Sequence, residues 1–199
     1  MDLDGALVEA VVLRNEVVDP GSRRLTEWVS CELASCVLAS TSWTRARFAD
    51  TLFDDCDLAN ARLERSAAHR VVLERSRLTG LDASGSDLLD VDARHATADL
   101  SSWRGASVER ARFEDCGLAS SDWTGARLRD VSFIRCDLTG ADFTAATMER
   151  VSFEACVLAG LNGVDGLRGA RVDSANLVDL AAMLAGALGI EISGGEPSP

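Results

Sequence analysis

Six cysteines are the side chains in this sequence best suited to chemistry, and their spacing argues against a reactive role. Five of them are separated by multiples of 20 residues: Cys36, Cys56, Cys116, Cys136 and Cys156. Thiols that hold zinc or act in redox reactions commonly occur in close pairs, and no Cys-x-x-Cys spacing occurs here. We therefore expect these cysteines and Cys31 to be buried, reduced thiols that fill space as small hydrophobes and bind no metal.

The two histidines do not indicate a catalytic site either. His69 and His95 occupy different outward positions, about one turn of the predicted coil apart, and no nucleophile is arranged beside either. The sequence contains no glycine-rich phosphate loop and no cluster of His or carboxylate residues with metal-ligand spacing. These features predict a protein that is not an enzyme and that uses no cofactor.

The elements that position these residues follow a five-residue period. Every fifth residue from Trp28 to Leu158 is apolar, without an insertion, and the residue two positions earlier is small, with Leu81 as the larger exception. None of these positions is charged, although charged residues form 26% of the chain. A period of five fits neither a 3.6-residue helix nor a two-residue strand alternation. It predicts a short extended segment followed by a corner, with both registers facing inward.

A second period, of 20 residues, predicts how many segments close one turn. Besides the cysteines, two aromatic columns repeat with this spacing: Phe53, Phe113, Phe133 and Phe153, and Trp43, Trp103 and Trp123 with Phe143. Four pentapeptides per turn predict an all-β solenoid with four sides. Successive turns would stack about 4.8 Å apart, which is the spacing of hydrogen-bonded strands, so that like residues stack on like.

The repeat resembles that of the pentapeptide-repeat family, in which a small and a polar residue precede Leu or Phe and two variable positions follow. Cys136-Asp137-Leu138-Thr139-Gly140 and Ala141-Asp142-Phe143 match this pattern. The resemblance covers about residues 26 to 160. It implies a right-handed quadrilateral β-helix, a handedness that the spacing alone does not determine.

The repeat is imperfect in the middle and at both ends. Ala68, Ala83, Ala93 and Ala98 replace large interior residues, and either Leu81 fills the space or the coil narrows and bends. We predict four segments: an imperfect, capping first turn over residues 1–25, in which Arg23 breaks the pattern; the repeat over 26–160; a coil remnant and helix over 161–192; and a disordered tail over 193–199.

The register shifts at Gly163, and Leu167, Val172 and Leu177 restart it before a C-terminal α-helix. We expect Asp173 or Ser174 to cap this helix, which ends near Leu188 before Gly189. The helix either covers the last turn or joins two copies, as a C-terminal helical segment does in family members that dimerise. The resemblance thus implies a homodimer. The residues assigned to these roles are Leu177, Leu180, Met183, Leu184, Ala187 and Leu188.

The charges argue against a nucleic-acid or membrane partner. The formal net charge is −12, all 20 cationic residues are Arg, and neither a signal-peptide pattern nor a long apolar segment occurs. We expect a cytoplasmic protein. The side that carries the Phe column on its interior, hereafter the Phe face, is the most acidic, with four Arg against eight carboxylates: Glu32, Asp54, Asp55, Glu74, Asp92, Glu114, Asp115 and Glu154.

Two functions remain open. Family members that confer resistance to quinolones or other topoisomerase poisons are acidic, rod-shaped dimers that bind DNA gyrase or topoisomerase IV in place of duplex DNA. The resemblance therefore implies a DNA mimic that modulates gyrase or protects it from poisons, with the Phe face as the binding surface. The alternative is a scaffold that binds an unrelated protein, because a fold does not imply a function.

Overall fold

The chain forms a parallel β-solenoid that ends in one short α-helix. The computed structural model describes residues 4–190; the predicted tail over 193–199 lies outside the described residues. Two 3₁₀ turns, Val164–Leu167 and Ser174–Asn176, precede the helix α1, Leu177–Ala187. The strands are β1 Leu7–Glu9, β2 Val12–Arg14, β3 Ser22–Arg24, β4 Glu27–Val29, β5 Glu32–Ala34, β6 Ser42–Thr44, β7 Arg47–Asp54, β8 Ala67–Glu74, β9 Asp87–Arg94, β10 Ser107–Glu114, β11 Arg127–Ile134, β12 Thr147–Glu149, β13 Ser152–Glu154 and β14 Arg171–Val172.

The pairing register confirms four pentapeptides per turn. Residues pair in parallel with residues 20 positions away, as Phe53 with Leu73, Phe113 with Phe133, and Phe133 with Phe153. The long strands β7 to β11 each span two sides of the coil. Apart from the pair β3 and β6, the other two sides carry single bridges and turns. One of these bears Trp43, Trp103 and Trp123 on its interior and is called the Trp face. The other, between the Phe face and the Trp face, is called the smooth face.

A left-handed backbone conformation at every fifth residue makes the corners. Every residue whose number is a multiple of five from Gly5 to Gly160, apart from Pro20, has a positive φ, between 49° and 68°. The proline ring holds φ near −65° and cannot take this corner. The corner is therefore made by the outward residue that precedes the small inward residue, and it turns the chain onto the next side of the coil.

Glycine is restricted to corners with a hydrogen-bonded turn. On the smooth and Trp faces the apolar carbonyl accepts a hydrogen bond from the N–H three residues later, as Leu138 does from Ala141 at 3.0 Å and Trp123 from Ala126 at 2.9 Å. Such turns with a positive φ at the third position favour Gly. The corner glycines all lie on these two faces: Gly5, Gly80, Gly85, Gly105, Gly125, Gly140 and Gly160.

The two inward registers form a continuous core, as predicted. Between Thr26 and Leu158 all their members are buried except the half-buried Leu63, Ala68 and Met148. Phe133 stacks between Phe113 and Phe153, with ring centroids 5.1 Å and 5.0 Å away. Aromatic rings from neighbouring sides meet edge to face, as Trp123 does with Phe133 at 5.6 Å and 86°. Such pairs add to the stability gained from burial.

Buried tryptophans in the Trp column have hydrogen-bond partners built into the repeat. The indole N–H of Trp103 donates to the Ser101 hydroxyl at 2.8 Å, and that of Trp123 to the Ser121 hydroxyl at 2.9 Å. The hydroxyl residue occupies the small register two positions earlier. A buried N–H without a partner is energetically costly. The position two residues before each of these tryptophans therefore needs the hydroxyl of Ser or Thr, and not only a small side chain.

The irregular middle keeps its register but is not completely filled. Leu81 is buried and points inward, which confirms that it supplies volume from the small register. A cavity of about 60 Å³ remains, lined by apolar groups that include Leu81, Ala68, Ala83 and Phe48. Pairing continues from β7 through β10 with the same 20-residue offset. Leu81 thus replaces only part of the volume lost at the alanines.

The first turn belongs to the same ladder, and Arg23 does not break it. Strands β1, β2 and β3 pair with β4, β5 and β6. Arg23 lies inside, 8% exposed, with its guanidinium 4.8 Å from the Trp43 ring centroid. It donates to the carbonyls of Asp19 at 3.0 Å and Gly21 at 3.4 Å. Stacking and hydrogen bonds allow a cation to take an interior position at the end of the coil.

The C-terminal register changes from 20 to 19 residues, since Phe153 pairs with Val172. The 3₁₀ turn Val164–Leu167 packs on the last turn at Gly163 and Gly166, where a Cβ atom would overlap the backbone of Phe143 and Thr144. The α-helix begins at Leu177, later than predicted, because a 3₁₀ turn precedes it. Asp173 does not cap it through its side chain; its carboxylate accepts the Ala155 N–H at 2.5 Å.

We predict that Phe133→Ala lowers the free energy of unfolding by about 3–5 kcal/mol, because it leaves a cavity between two stacked rings. Phe133 is 0% exposed. The matched control is Ile134→Ala, the next residue, which points outward and should cost about 1 kcal/mol or less. Reversible urea unfolding measures both. Equal losses for the two variants would place Phe133 outside the core.

We also predict that Leu100→Gly stabilises the protein by up to about 1 kcal/mol, since a left-handed L-residue costs about 1–2 kcal/mol and glycine does not. Leu100 has φ 59° and is 66% exposed, so little packing is lost. Val157→Gly, at an exposed position that forms a single β-bridge with Asp137, should be destabilising. Denaturant midpoints for the pair check this, and a lower midpoint for Leu100→Gly would contradict it.

Candidate functional site: the outward faces of the solenoid

The six thiols lie in the interior, as predicted. All six cysteines are free and buried. The Cys136 thiol donates to the Phe113 carbonyl, and the Cys156 thiol to the Phe133 carbonyl, with sulfur–oxygen distances of 3.4 Å and 3.3 Å. Burial raises the pKa of the Cys56 thiol to about 11, which suppresses the nucleophilic thiolate at neutral pH. Within residues 4–190, no three His, Cys, Asp or Glu side chains converge to hold a metal ion.

The histidines lie outside and interact with carboxylates. His69 Nε2 is 3.4 Å from the Asp90 carboxylate, and His95 Nδ1 is 3.8 Å from that of Asp115. His69 also contacts the Arg70 guanidinium. They belong to charge columns on the surface of the solenoid.

The structure places the eight predicted carboxylates of the Phe face together on one side, but most are bound to arginine. Six form ion pairs: Glu32 with Arg14 at 2.8 Å, Asp54 with Arg75, Glu74 with Arg75 at 3.2 Å, Asp92 with Arg94, and Glu114 and Asp115 with Arg135, each at 2.7 Å. Asp55 accepts a hydrogen bond from Ser35, and Glu154 one from Ser152. Neither carboxylate has a cationic partner among the described residues.

The arginine contacts favour the charged form of two of these carboxylates, Glu114 and Asp115. Hydrogen bonds from Arg112 and then from Arg135 lower the pKa of the Glu114 carboxyl, and hydrogen bonds from Arg135 lower that of Asp115. The face therefore keeps its negative charge at neutral pH, although its arginines spread cationic groups among the carboxylates. An incoming cationic partner would have to exchange with these arginines.

A column of alternating charges runs along the corner beside the Phe face. Arg110 binds Asp90 through two nitrogens at 2.6 Å and 3.0 Å, and Arg150 binds Asp130 in the same way. Asp and Arg alternate at a spacing of 20 residues, and this alternation is visible in the sequence. Counting the charges on each side does not reveal it, because the alternation runs along the axis. The column is Asp50, Arg70, Asp90, Arg110, Asp130 and Arg150.

The residues predicted to make contacts from the C-terminal helix lie on two of its sides, one packed on the solenoid and one exposed. Leu180 and Met183 pack against the core of the solenoid. Leu177, Leu184 and Leu188 are 62%, 47% and 74% exposed, and Ala187 is exposed too. Leu177 therefore does not restart the inward register, because the helix begins there and turns its side chain outward. The exposed apolar stripe of the helix is formed by Leu177, Ala181, Leu184 and Leu188.

At the N-terminal end of the coil, the inward-facing apolar side chains are only partly covered. Val8, Leu13 and Val18 point inward but are only half-buried, and they line a cavity of about 770 Å³ with Arg23 and Trp28. The predicted capping turn thus presents its own apolar interior, while residues 1–3 lie outside the described residues. Within residues 4–190, no helix is long and apolar enough to cross a membrane.

Comparison with solved structures finds other repeat proteins at low identity. Full-length QnrB1, a plasmid-mediated fluoroquinolone resistance protein, is 18% identical with a TM-score of 0.46, covering 93% of this chain and 100% of that one. HetL from the cyanobacterium Nostoc sp. strain PCC 7120, a pentapeptide repeat protein involved in heterocyst differentiation regulation, is 15% identical with a TM-score of 0.32, covering 83% and 86%. A pentapeptide repeat protein from the Arabidopsis thaliana thylakoid lumen is 20% identical with a TM-score of 0.29, covering 60% and 70%. Likeness at this level carries no argument about function.

Family models match two parts of the sequence. The model described as pentapeptide repeat region matches residues 106–166, and the model described as pentapeptide repeats (8 copies) matches residues 31–66. Comparison with curated protein sequences gave no match. The matched segments carry the five-residue register whose 20-residue pairing the structure confirms. The chain belongs to the pentapeptide-repeat family.

Proposed function

We propose that this protein works by binding another protein along the Phe face, as an acidic DNA mimic that occupies the DNA-binding surface of DNA gyrase or topoisomerase IV. The observation that carries this proposal is the set of carboxylates on one side, which occur on six of the seven turns from Glu32 to Glu154. The face has eight carboxylates against Arg75, Arg94, Arg112 and Arg135. Its corners recur every five residues from Gly5 to Gly160 apart from Pro20, so no loop interrupts it over that range.

The spacing of the carboxylates suits a surface that binds duplex DNA. Asp54 and Asp55 lie three turns from Glu114 and Asp115, since pairing is offset by 20 residues per turn. At about 4.8 Å per turn the two pairs are about 14 Å apart. That distance spans about four phosphates of one strand at about 3.4 Å each. Arg and Lys side chains arranged for phosphates could therefore meet both pairs.

The ion pairs define the order in which such a partner would engage. Asp55 and Glu154, which have no cationic partner in the described residues, are available at once. Glu114 and Asp115 must exchange Arg135 for a cation of the enzyme. Exposed ion pairs contribute only about 0–1 kcal/mol each, so the exchange is inexpensive. Mimicry here would depend on net charge and regular spacing more than on free carboxylates.

A second candidate is a scaffold for an unrelated protein partner, and one observation favours it. Six of the eight carboxylates already have arginine partners within the chain. Ion pairs of this kind can simply stabilise the packing of neighbouring turns, without any role in binding a partner. The scaffold function makes no demand on the charge of the Phe face, and this separates the two candidates experimentally.

A gyrase supercoiling assay, with and without a quinolone, tests the first candidate. The Phe-face variant carries Asp54→Asn, Asp55→Asn, Glu114→Gln and Asp115→Asn. We expect wild-type protein to inhibit or protect gyrase at micromolar concentration and low salt, and the variant to be at least ~10-fold weaker, because interface charges set association rates. The wild-type effect should also decline with salt, since screening shortens charge interactions to about 8 Å at physiological ionic strength.

The matched control removes four carboxylates from the side that precedes the Phe face: Glu27→Gln, Asp87→Asn, Glu109→Gln and Glu149→Gln. Two of these have arginine partners, Glu109 with Arg110 and Glu149 with Arg150. The control should keep wild-type activity within ~3-fold if face rather than total charge matters. A wild-type protein without any effect on gyrase would leave the scaffold function standing.

Self-association through the exposed stripe of the helix belongs to the same proposal. Leu184→Glu should convert a dimer formed there into a monomer, because a buried unpaired charge at an apolar contact is strongly unfavourable. Val178→Glu, at a position 81% exposed and outside the stripe, is the control. Sedimentation velocity measures the mass. A dimer that survives Leu184→Glu would show that the helix is only a cap of the last turn.

A further inference from the structure

The Trp face is the one side of the solenoid whose two halves carry opposite charge. Its outward residues pair in columns along the axis, one of which runs through Ser42, Arg62, Asp82, Ser102, Asp122 and Asp142. Over the six turns from Ser42 to Ala145, the N-terminal half carries Arg45, Arg62 and Arg65 with one acid, Glu64. The C-terminal half carries Asp82, Asp122 and Asp142 with one cation, Arg104. The net charge of the whole face is zero, so a sum over the face does not show that its two halves have opposite charge.

Arg104 of this face binds Asp122 at 2.8 Å, but the three arginines of its N-terminal half lack the partners that arginines have elsewhere. On the Phe face Arg75, Arg94, Arg112 and Arg135 all form ion pairs. Arg45, Arg62 and Arg65 are exposed, and none has a carboxylate within ion-pair distance in residues 4–190. In the acidic half, Asp122 is engaged through both oxygens, Oδ1 by the Thr124 N–H at 2.9 Å and Oδ2 by Arg104 at 2.8 Å. Asp82 and Asp142 each use one oxygen, Oδ1, to accept a backbone N–H from Ser84 or Thr144. Their second oxygens remain available to a cation.

We propose that a second copy of this chain docks on the Trp face, antiparallel, about a two-fold axis perpendicular to the rod between the turns of Asp82 and Ser102. In that arrangement each column faces itself in the opposite direction. Arg62 then faces the Asp122 position of the second copy, one turn of about 4.8 Å from Asp142, whose second oxygen can accept the guanidinium. Arg65 faces Gly125 and Arg45 faces Ala145, beside the carboxylates of Asp122 and Asp142. Charge complementarity identifies the occupant, because the acidic half of the face matches its basic half.

The small residues of the acidic half make room for the arginines of the other copy. The corner column of this face is Arg45, Arg65, Gly85, Gly105, Gly125 and Ala145. Reversed about its centre, the column places each arginine opposite glycine or alanine, and Gly85 opposite Gly105. A Cβ added at Gly105 or Gly125 meets nothing within 4 Å, so the surface above them is open. The guanidinium can therefore lie flat and bind a carboxylate through two nitrogens.

The charges also select the direction. A two-fold axis parallel to the rod would place each turn opposite the same turn, so that Arg45, Arg62 and Arg65 would face one another. Like charges opposed in an interface are strongly unfavourable. Only the antiparallel arrangement brings the basic half of each copy to the acidic half of the other.

The expected complex is weak and depends on salt. Six turns at about 4.8 Å and a side of about three extended residues give roughly 300 Å² per copy, far below the ~800 Å² of a stable interface. Ser and Thr occupy much of the remaining surface, as at Ser42, Ser84, Ser102 and Thr124. Polar contact and ion pairs would dominate, so association should be visible at high protein concentration and decline as screening increases.

A charge-exchange experiment by sedimentation velocity, at low salt and up to about millimolar protein, tests the pairing. Arg62→Asp alone and Asp122→Arg alone should each weaken self-association at least ~10-fold, and the double variant should return to within ~3-fold of wild type. Recovery of self-association in the double variant is the informative result. If the single changes weakened association only by removing a contact within one chain, exchanging the two charges would not restore it. Failure of the double variant to associate overturns the proposal, as does a wild-type chain that stays monomeric.

A second variant pair does not disturb internal contacts. Ala145→Arg should weaken association, because it places a cation opposite Arg45 of the second copy. The fold should tolerate the change, since Arg45 and Arg65 already occupy the same corner column. Ala155→Arg, the same change at the next corner on the Phe face, should leave association unchanged. Leu184→Glu separates this contact from the helix stripe. A dimer that Leu184→Glu abolishes and Ala145→Arg leaves intact would overturn the proposal.

Discussion

The fold depends on a backbone conformation that repeats every fifth residue. A left-handed residue at each corner turns the chain onto the next side of the coil, and four such corners close a turn of 20 residues. Each turn then presents its N–H and C=O groups to the turns before and after, so that hydrogen bonds run along the axis. Because most L-residues pay for a positive φ, the fold is stable only if stacking between turns compensates at every corner. The pairing of identical registers supplies that compensation.

The exact repeat turns single contacts into ladders. Phe113, Phe133 and Phe153 stack in one column, and each buried indole of the Trp column finds a hydroxyl two residues earlier. The alanine-rich middle shows the limit of this arrangement. Register is set by the backbone and persists through β8 and β9, whereas packing is set by side-chain volume, and a cavity remains beside Leu81. Backbone order and interior packing are therefore separable in this protein.

The same stacking rule governs the surface. Outward residues 20 positions apart become neighbours, so carboxylates and arginines that are distant in sequence form columns such as Asp90 with Arg110. On the Phe face the columns neutralise most carboxylates locally while the side remains acidic as a whole. On the Trp face the charges separate along the axis, and Arg45, Arg62 and Arg65 of its N-terminal half have no ion-pair partner among residues 4–190. These two patterns are why the faces support different proposals, one for a cationic partner and one for a second copy.

The sequence by itself determined the solenoid, its four sides and its buried registers, because side-chain spacing of five and 20 residues admits no other regular backbone. It also determined which carboxylates share the Phe face. Only the tertiary structure decided that Arg135 neutralises Glu114 and Asp115, that Arg23 lies inside against Trp43, and that Leu177 faces outward. Ion pairing depends on how long flexible side chains settle between neighbouring turns, which spacing does not encode. At the two ends the repeat lacks a neighbouring turn, so local geometry rather than register places each residue.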